Sequence, residues 1–330
     1  MALHGVNLGG WLILEKWMTP AVFDGTDAVD EYTFMQTPGA RAKLRTHQRT
    51  FIMEADFAWM STHGIEAVRI PVGYWILEGD APYVSAVGRL DWAFSMAQKY
   101  AIKVLLDIHG LPGSQNGHDH SGRVGKAAWW RSNTLREQGK EATLRLAERY
   151  ANHPMLWGVQ VINEPRPGLF HIKLRRYYNQ LYKALAQVLP KDVRVVYSDA
   201  FTPRLMNAVV WASARNPAVM DVHWYHFLQW PRVLPQWYVY IIRAHGRLIK
   251  RLKRWGPVII GEWSGCYSQQ IFDKYPQPNH AAMVRRHIHD QLLAYEAADA
   301  WFYWSYKTEQ PGVWNFKSLI DAGEVTLPAR

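Results

Sequence analysis

The chain has 330 residues, 48% of them hydrophobic and 20% charged, with a formal net charge of +10, a composition that fits a folded chain with a large core and excludes a disordered or low-complexity one. A single cysteine, Cys266, excludes an intramolecular disulfide. There is no run of about 18 uncharged apolar residues to cross a bilayer, and the start MALHGVNLGGWLIL lacks the basic stretch, apolar core and cleavage site of a secretory signal, so the expected location is cytoplasmic or membrane-peripheral.

Short apolar runs alternate with longer amphipathic ones. HGVNLGGW (residues 4–11) reads as the first strand, and a helix pattern over 45–64 groups Phe51, Ala55, Ala58, Trp59 and Thr62 before stopping at Gly64. The strand candidates AVRIPVG (67–73), KVLLDIHG (103–110), LWGVQVINE (156–164), RVVYSD (194–199), MDVHWYHF (220–227), PVIIGEWS (257–264) and AWFYWSY (300–306) follow. Helical periodicity returns at 89–101, 140–151, 171–189 and 280–298. Several strands are apolar without strict alternation, as in a parallel sheet covered by helices. The expected fold is α/β, a single (β/α)8 barrel domain spanning 1–330. An open doubly wound sheet is the rival, but no glycine-rich nucleotide-binding turn is present.

Much of the positive charge sits in two stretches, 173–183 and 243–255, where basic residues recur among apolar ones at helical spacing. A solvated helix face explains this, and so does contact with an anionic membrane surface through residues 236–255, whose flank LPQWYVYII is aromatic and aliphatic. Nucleic acid is not an expected partner, because the aromatics near these charges form no known module.

In a (β/α)8 barrel the chemistry lies where the strands end. The chain places Glu15, Arg69, His109, Asn163, Glu164, His223, Tyr225, Glu262 and Trp304 at or near those ends. Glu164 and Glu262 each close an apolar run, on strands four and seven, across the barrel from one another. A charge leaving water needs partners, and Arg69 and Lys307 are the candidates if the pair is merely a salt-bridged rim. Two facing carboxyls are also what glycosidic cleavage needs: a proton donor and an ionised group that attacks or activates water. The 17 Trp and 17 Tyr suit a sugar ligand, since flat rings pack on apolar sugar faces. Trp304, Tyr225, Trp75 and Trp314 are the rings nearest the strand ends.

GVNLGGWLILEKWMTP, RIPVGYW, DIHGLPGSQNGHDHSG, INEP, GEWS and FYWSYKTEQPGVW together resemble, in order and over about residues 4–320, the glycoside hydrolase family 5 enzymes of the exo-β-1,3-glucanase type. The resemblance implies a retaining glycosidase acting on β-linked glucosides through a covalent glycosyl-enzyme, with Glu164 as acid/base and Glu262 as nucleophile. It further implies that Asn163 bonds the sugar 2-hydroxyl and that Arg69 and Tyr225 orient the nucleophile. By the same likeness, His109 and His223 line the first sugar subsite, Trp304 is its floor, and Glu15 holds the terminal sugar. The chain departs from the fungal pattern at GHDHSG, where His118 and His120 replace an aromatic and an amide. Asp119 and His120 join the substrate-binding candidates there, and the acceptor preference is open. The expected partner is a β-glucan, oligosaccharide or glucoside, with no cofactor and no metal.

Other chemistries have weaker support. His109, His118, Asp119 and His120 have the composition of a zinc site, but two carboxyls need no metal. Cys266 has no adjacent general base. A non-catalytic, membrane-associated glycan-binding module would not require both glutamates. Transglycosylation by the same residues remains an alternative outcome for the glycosyl-enzyme.

Overall fold

Eight parallel strands pair in chain order and the last closes on the first. They are β1 (Leu3–Asn7), β2 (Ala67–Gly73), β3 (Lys103–Gly110), β4 (Leu156–Gln160), β5 (Arg194–Ser198), β6 (Ala218–Trp224), β7 (Val258–Trp263) and β8 (Ala300–Tyr303). Closure rests on β1, whose Val6 lies opposite Val68 on one side and Tyr303 on the other. This is the (β/α)8 barrel expected, and the closed ring rules out the open sheet. The structure, a computed structural model, describes residues 1–166, 171–206 and 215–327.

The longer helices among the described residues are α1 (Ala40–Thr50), α2 (Glu54–Thr62), α3 (Val87–Lys99), α4 (Asn133–Tyr150), α5 (His171–Val188), α6 (Pro235–Leu252), α7 (His280–Tyr295) and α8 (Phe316–Asp321). The helix expected over 45–64 is broken in two. Met53 is extended, and its backbone N–H donates to the Asp56 carboxylate (2.7 Å), so the chain starts a new helix there. Glu54 and Asp56 in that first turn also suit its positive end. Gly64, with φ +75°, ends the segment as its position suggested. Between β5 and β6 the described residues hold only the short helix Pro203–Met206. No helix of the described residues is long and apolar enough to cross a membrane.

Strand side chains alternate between two environments. Val68, Ile70 and Val72, and likewise Val104, Leu106 and Ile108, pack outward against the helices in the larger core. Ala67, Leu105, Trp157, Val196, Val219, Ile259, Ala300 and Phe302 fill the barrel interior at its base. Two residues further along the same strands, the inward positions become Arg69, Asp107 and Asp221, all buried. The interior thus changes from apolar to polar toward the mouth, and the polar layer supports what lies above it.

Candidate active site

The β4 ladder ends at Gln160, four residues before Glu164. Beyond it the chain is steered by hydrogen bonds rather than by Pro165. The Val161 N–H donates to Val196 O and the Asn163 N–H to Ile108 O, both at 3.0 Å. The Gln115 amide donates to the carbonyls of His109 (2.7 Å) and Asn163 (2.9 Å), and Asn116 donates to Glu164 O (3.0 Å). Glu164 is held at φ +39°, a left-handed conformation that costs a non-glycine residue roughly 1–3 kcal/mol and tends to occur at functional positions.

Glu262 belongs to β7, where the register with β6 shifts between Val222 and His223 and that with β8 shifts between Ile260 and Trp263. Such irregularities re-aim side chains. Gly261 sits behind it, and its N–H donates to Asp221 Oδ1 at 2.6 Å.

One oxygen of Glu164, one of Glu262 and a ring nitrogen of His223 lie within 4.8 Å of one another. The two carboxyls are therefore close enough for one to attack a carbon whose leaving oxygen the other protonates. Glu262 Oε1 accepts from Arg69 (2.9 Å) and Oε2 from the Tyr225 hydroxyl (2.8 Å). Arg69 also donates to Asn7 and Asn163, both at 2.8 Å, and contacts Asp107 at 3.1 Å. Asn163 is thereby oriented with its amide NH2 toward His109 Nε2 (3.3 Å), while His109 Nδ1 donates to Asp107 (2.6 Å).

His223 lies between Glu164 Oε1 (2.7 Å) and Asp221 Oδ2 (3.0 Å). Both neighbours are carboxyls, so both ring nitrogens carry protons. Burial opposes that charge, but Glu262 and Asp221 outweigh it and hold the imidazole well above its ordinary range. Burial likewise pushes Glu262 up to about 7, against the charges of His223 and Arg69. At Glu164 burial is overcome by donation from His223, with help from His120 and His109, and the carboxyl drops to about 2. Read separately, those two directions would put the proton on the wrong carboxyl for glycoside cleavage. The hydrogen bonds resolve this. Both oxygens of Glu262 face groups that donate, an environment that favours its anion. His223 Nδ1 donates to Glu164 Oε1 at 2.7 Å.

A cavity of about 350 Å³ opens over these groups, and Glu15, His109, Asp119, His120, Glu164, Tyr225, Glu262 and Trp304 line it. Trp304 stacks with His109, their planes 13° apart. Glu15 Oε2 accepts from Trp17 Nε1 (2.9 Å), while Glu15 Oε1 and His120 Nδ1 are buried with no partner among the described residues. His120 Nε2 approaches Glu164 Oε2 at 3.4 Å, so this loop histidine touches a candidate catalytic carboxyl as well as the cavity.

The profile of the family described as Cellulase (glycosyl hydrolase family 5) matches residues 29–310. This chain belongs to glycosyl hydrolase family 5. A probable glucan 1,3-beta-glucosidase A of Aspergillus terreus is 36% identical, the match covering 99% of this chain and 88% of that protein. A glucan 1,3-beta-glucosidase of Blumeria graminis is 33% identical over 99% of this chain and 87% of its own length. The crystal structure of rutinosidase from Aspergillus niger superimposes with a TM-score of 0.83 over 98% of this chain and 97% of that one, at 21% identity, a likeness that speaks for the fold.

For this family 5 glycosidase, the residues singled out in the sequence converge, but not all on the cavity wall. Arg69, Asn163 and His223 are buried beneath it, and His223 braces the two glutamates from behind rather than lining the cavity. Trp75 is a packing residue, stacked on Tyr83 and bonded to Glu31. Trp314 does reach the cavity, with Trp17, Phe201, Phe227 and Leu228. Lys307 pairs with Asp56, 2.9 Å away, and not with either glutamate. Of the loop set read as a possible metal site, His118, Asp119, His120 and His109 face the cavity. His118 stacks on His120 with ring centroids 5.6 Å apart.

Sequence reasoning missed Asp107, Gln160 and Asp221. Asp221 holds His223 and Gly261, and Gln160 bridges Arg69 (2.8 Å) and Asp221 (2.7 Å). A signal was present: KVLLDIHG and MDVHW each put Asp two residues before His, the spacing of one strand face.

Proposed function

We propose that this enzyme cleaves β-1,3-linked glucosides with retention of anomeric configuration. Glu262 is the nucleophile and Glu164 the acid/base. The observation that carries the reading is the approach of the two carboxyls to within 4.8 Å, with Glu262 held by two donors and Glu164 hydrogen-bonded to a protonated imidazole.

Entry of a sugar displaces water from Glu164, which favours the neutral carboxyl and draws the proton across from His223. Glu164 then protonates the glycosidic oxygen as a Glu262 oxygen bonds to the anomeric carbon and the aglycone leaves. In the second half, Glu164 takes a proton from water, whose hydroxide displaces Glu262, and the proton returns to His223 to restore the site. The spare hydrogen of the Asn163 amide is available to the 2-hydroxyl, and the unpartnered Glu15 Oε1 and His120 Nδ1 to other hydroxyls. The 1,3-linkage and the release of single glucose units are supported by the names of the two fungal relatives and by a cavity sized for few sugar units.

The test is hydrolysis of an aryl β-glucoside followed by NMR. The first-formed sugar is expected to be the β-anomer, and Glu262→Ala is expected to be inactive; an α-anomer overturns the mechanism. Product analysis on β-1,3-, β-1,4- and β-1,6-linked disaccharides tests the linkage.

A further inference from the structure

We propose that the outer face of α6 docks this enzyme onto an anionic phospholipid surface. The inference is independent of the chemistry in the cavity. Residues 235–255 contain no acidic side chain. The helix buries Tyr238, Ile242, His245, Ile249 and Leu252 against the barrel. The opposite face exposes Arg243, Arg247, Lys250 and Arg251, and Arg254 continues it. Spaced by three, four or one residue, these charges form a stripe roughly 16 Å long at 1.5 Å per residue.

Several exposed cations elsewhere on the surface are neutralised locally. Arg149 pairs with Asp91, Arg285 with Glu324 and Arg286 with Asp290. On and just beyond α6 only Lys253 has such a partner, Asp299 at 2.9 Å; the five cations of the stripe have no carboxylate within ion-pair distance among the described residues. Unpaired, aligned positive charge is complementary to a sheet of lipid phosphates and is worth little to the folded monomer.

Two further features select a lipid surface over a soluble polyanion. Aromatic side chains flank the stripe: Trp237 and Tyr240, with ring centroids 5.6 Å apart, are 55% and 58% exposed, and Trp255 is 65% exposed. Exposed Trp and Tyr beside Arg and Lys are the composition of the headgroup boundary. A groove of about 560 Å³ between α6 and α7 is lined by Arg243, Arg247 and Lys250, which gives a headgroup phosphate a seat. Its acidic members, Asp290 and Glu296, are engaged by Arg286 and by His4 with the Ala2 N–H. The basic helix α5 differs, because Tyr177 and Tyr178 are buried and Tyr182 is half-buried. The segment leading into α6 supplies Phe227 and Leu228 to the cavity rim, and Leu228 is 66% exposed.

The test is co-sedimentation of the full chain with vesicles of phosphatidylcholine alone and with about one-third phosphatidylglycerol. Binding is expected to the anionic vesicles only and to disappear at about 0.5 M salt. The variant Arg243→Gln/Arg247→Gln/Lys250→Gln/Arg251→Gln is expected to lose at least about tenfold in partitioning, while its turnover of a soluble aryl glucoside is unchanged. Trp237→Ala/Trp255→Ala is expected to weaken binding at constant charge. Failure of the wild type to sediment with anionic vesicles overturns the proposal, as does equal sedimentation of the four-residue variant. Binding to dextran sulfate without binding to vesicles assigns the stripe to a soluble polyanion and overturns the lipid surface.

Discussion

As the proposed nucleophile, Glu262 attacks only as an anion, and burial pushes its carboxyl up to about 7 against the opposing cations and the Tyr225 hydroxyl. Removing the donor in Tyr225→Phe raises that pKa further. A raised pKa lowers the ionised fraction at a given pH, so the acid limb of kcat/KM should move to higher pH. The loss near neutrality should be about tenfold to a hundredfold, the worth of a hydrogen bond to a charged group. A pH–rate profile whose acid limb stays in place would refute this role for Tyr225. At this scale much was visible along the chain, because a carboxylate closing an apolar run is costly without a purpose. His120 shows the limit. Its position in a loop suggested a sugar contact, and only the folded loop brings it within 3.4 Å of Glu164.

The strands carry more of the site than their last residues suggest. Asp221 and His223 share one face of β6, and Gly261 of β7 lies so close that a Cβ built on it would fall 2.1 Å from Asp221 Oδ1. Gly261→Ala should therefore displace Asp221, loosen His223 and cost about 1–3 kcal/mol of stability along with most of the activity; thermal melts and kcat/KM on the same preparation check both. A second buried group links α6 and α7. His226 Nδ1 meets His287 Nε2 at 2.9 Å, its Nε2 meets His245 Nδ1 at 3.3 Å, and His287 Nδ1 donates to Gly265 O at 3.1 Å. Burial pushes His245 and His287 down to about 4 and His226 well below its usual range. Between those values and about 6.5 the unfolded chain binds more protons than the native one, so stability must fall as the pH falls through that window. Calorimetry should show a lower Tm at about pH 5 than at about pH 7, and His287→Gln should flatten the slope. None of this was legible in the sequence, where the three histidines are separated by up to 61 residues. The break before α2 was missed for a local reason: the apolar periodicity runs through Phe51 while the Asp56 cap interrupts the backbone.

The closed ring makes the N-terminal strand indispensable. β1 pairs with both β2 and β8, and its Asn7 accepts from Arg69 and donates to Gly261 O at 2.9 Å. Deleting residues 1–8 should abolish cooperative thermal unfolding as well as activity, because it opens two sheet edges and unpairs the arginine under the nucleophile; a truncated chain that melts cooperatively would refute this. Strand order, the eightfold alternation and the candidate site residues were available from the chain alone, since hydrophobic period and residue type are local properties. The tertiary structure decided the rest. The distance between Glu164 and Glu262, the burial that raises one and the imidazolium that lowers the other all depend on atoms from separate strands. Proton position is set by desolvation and by charges a few ångströms away, and those exist only once the barrel has closed.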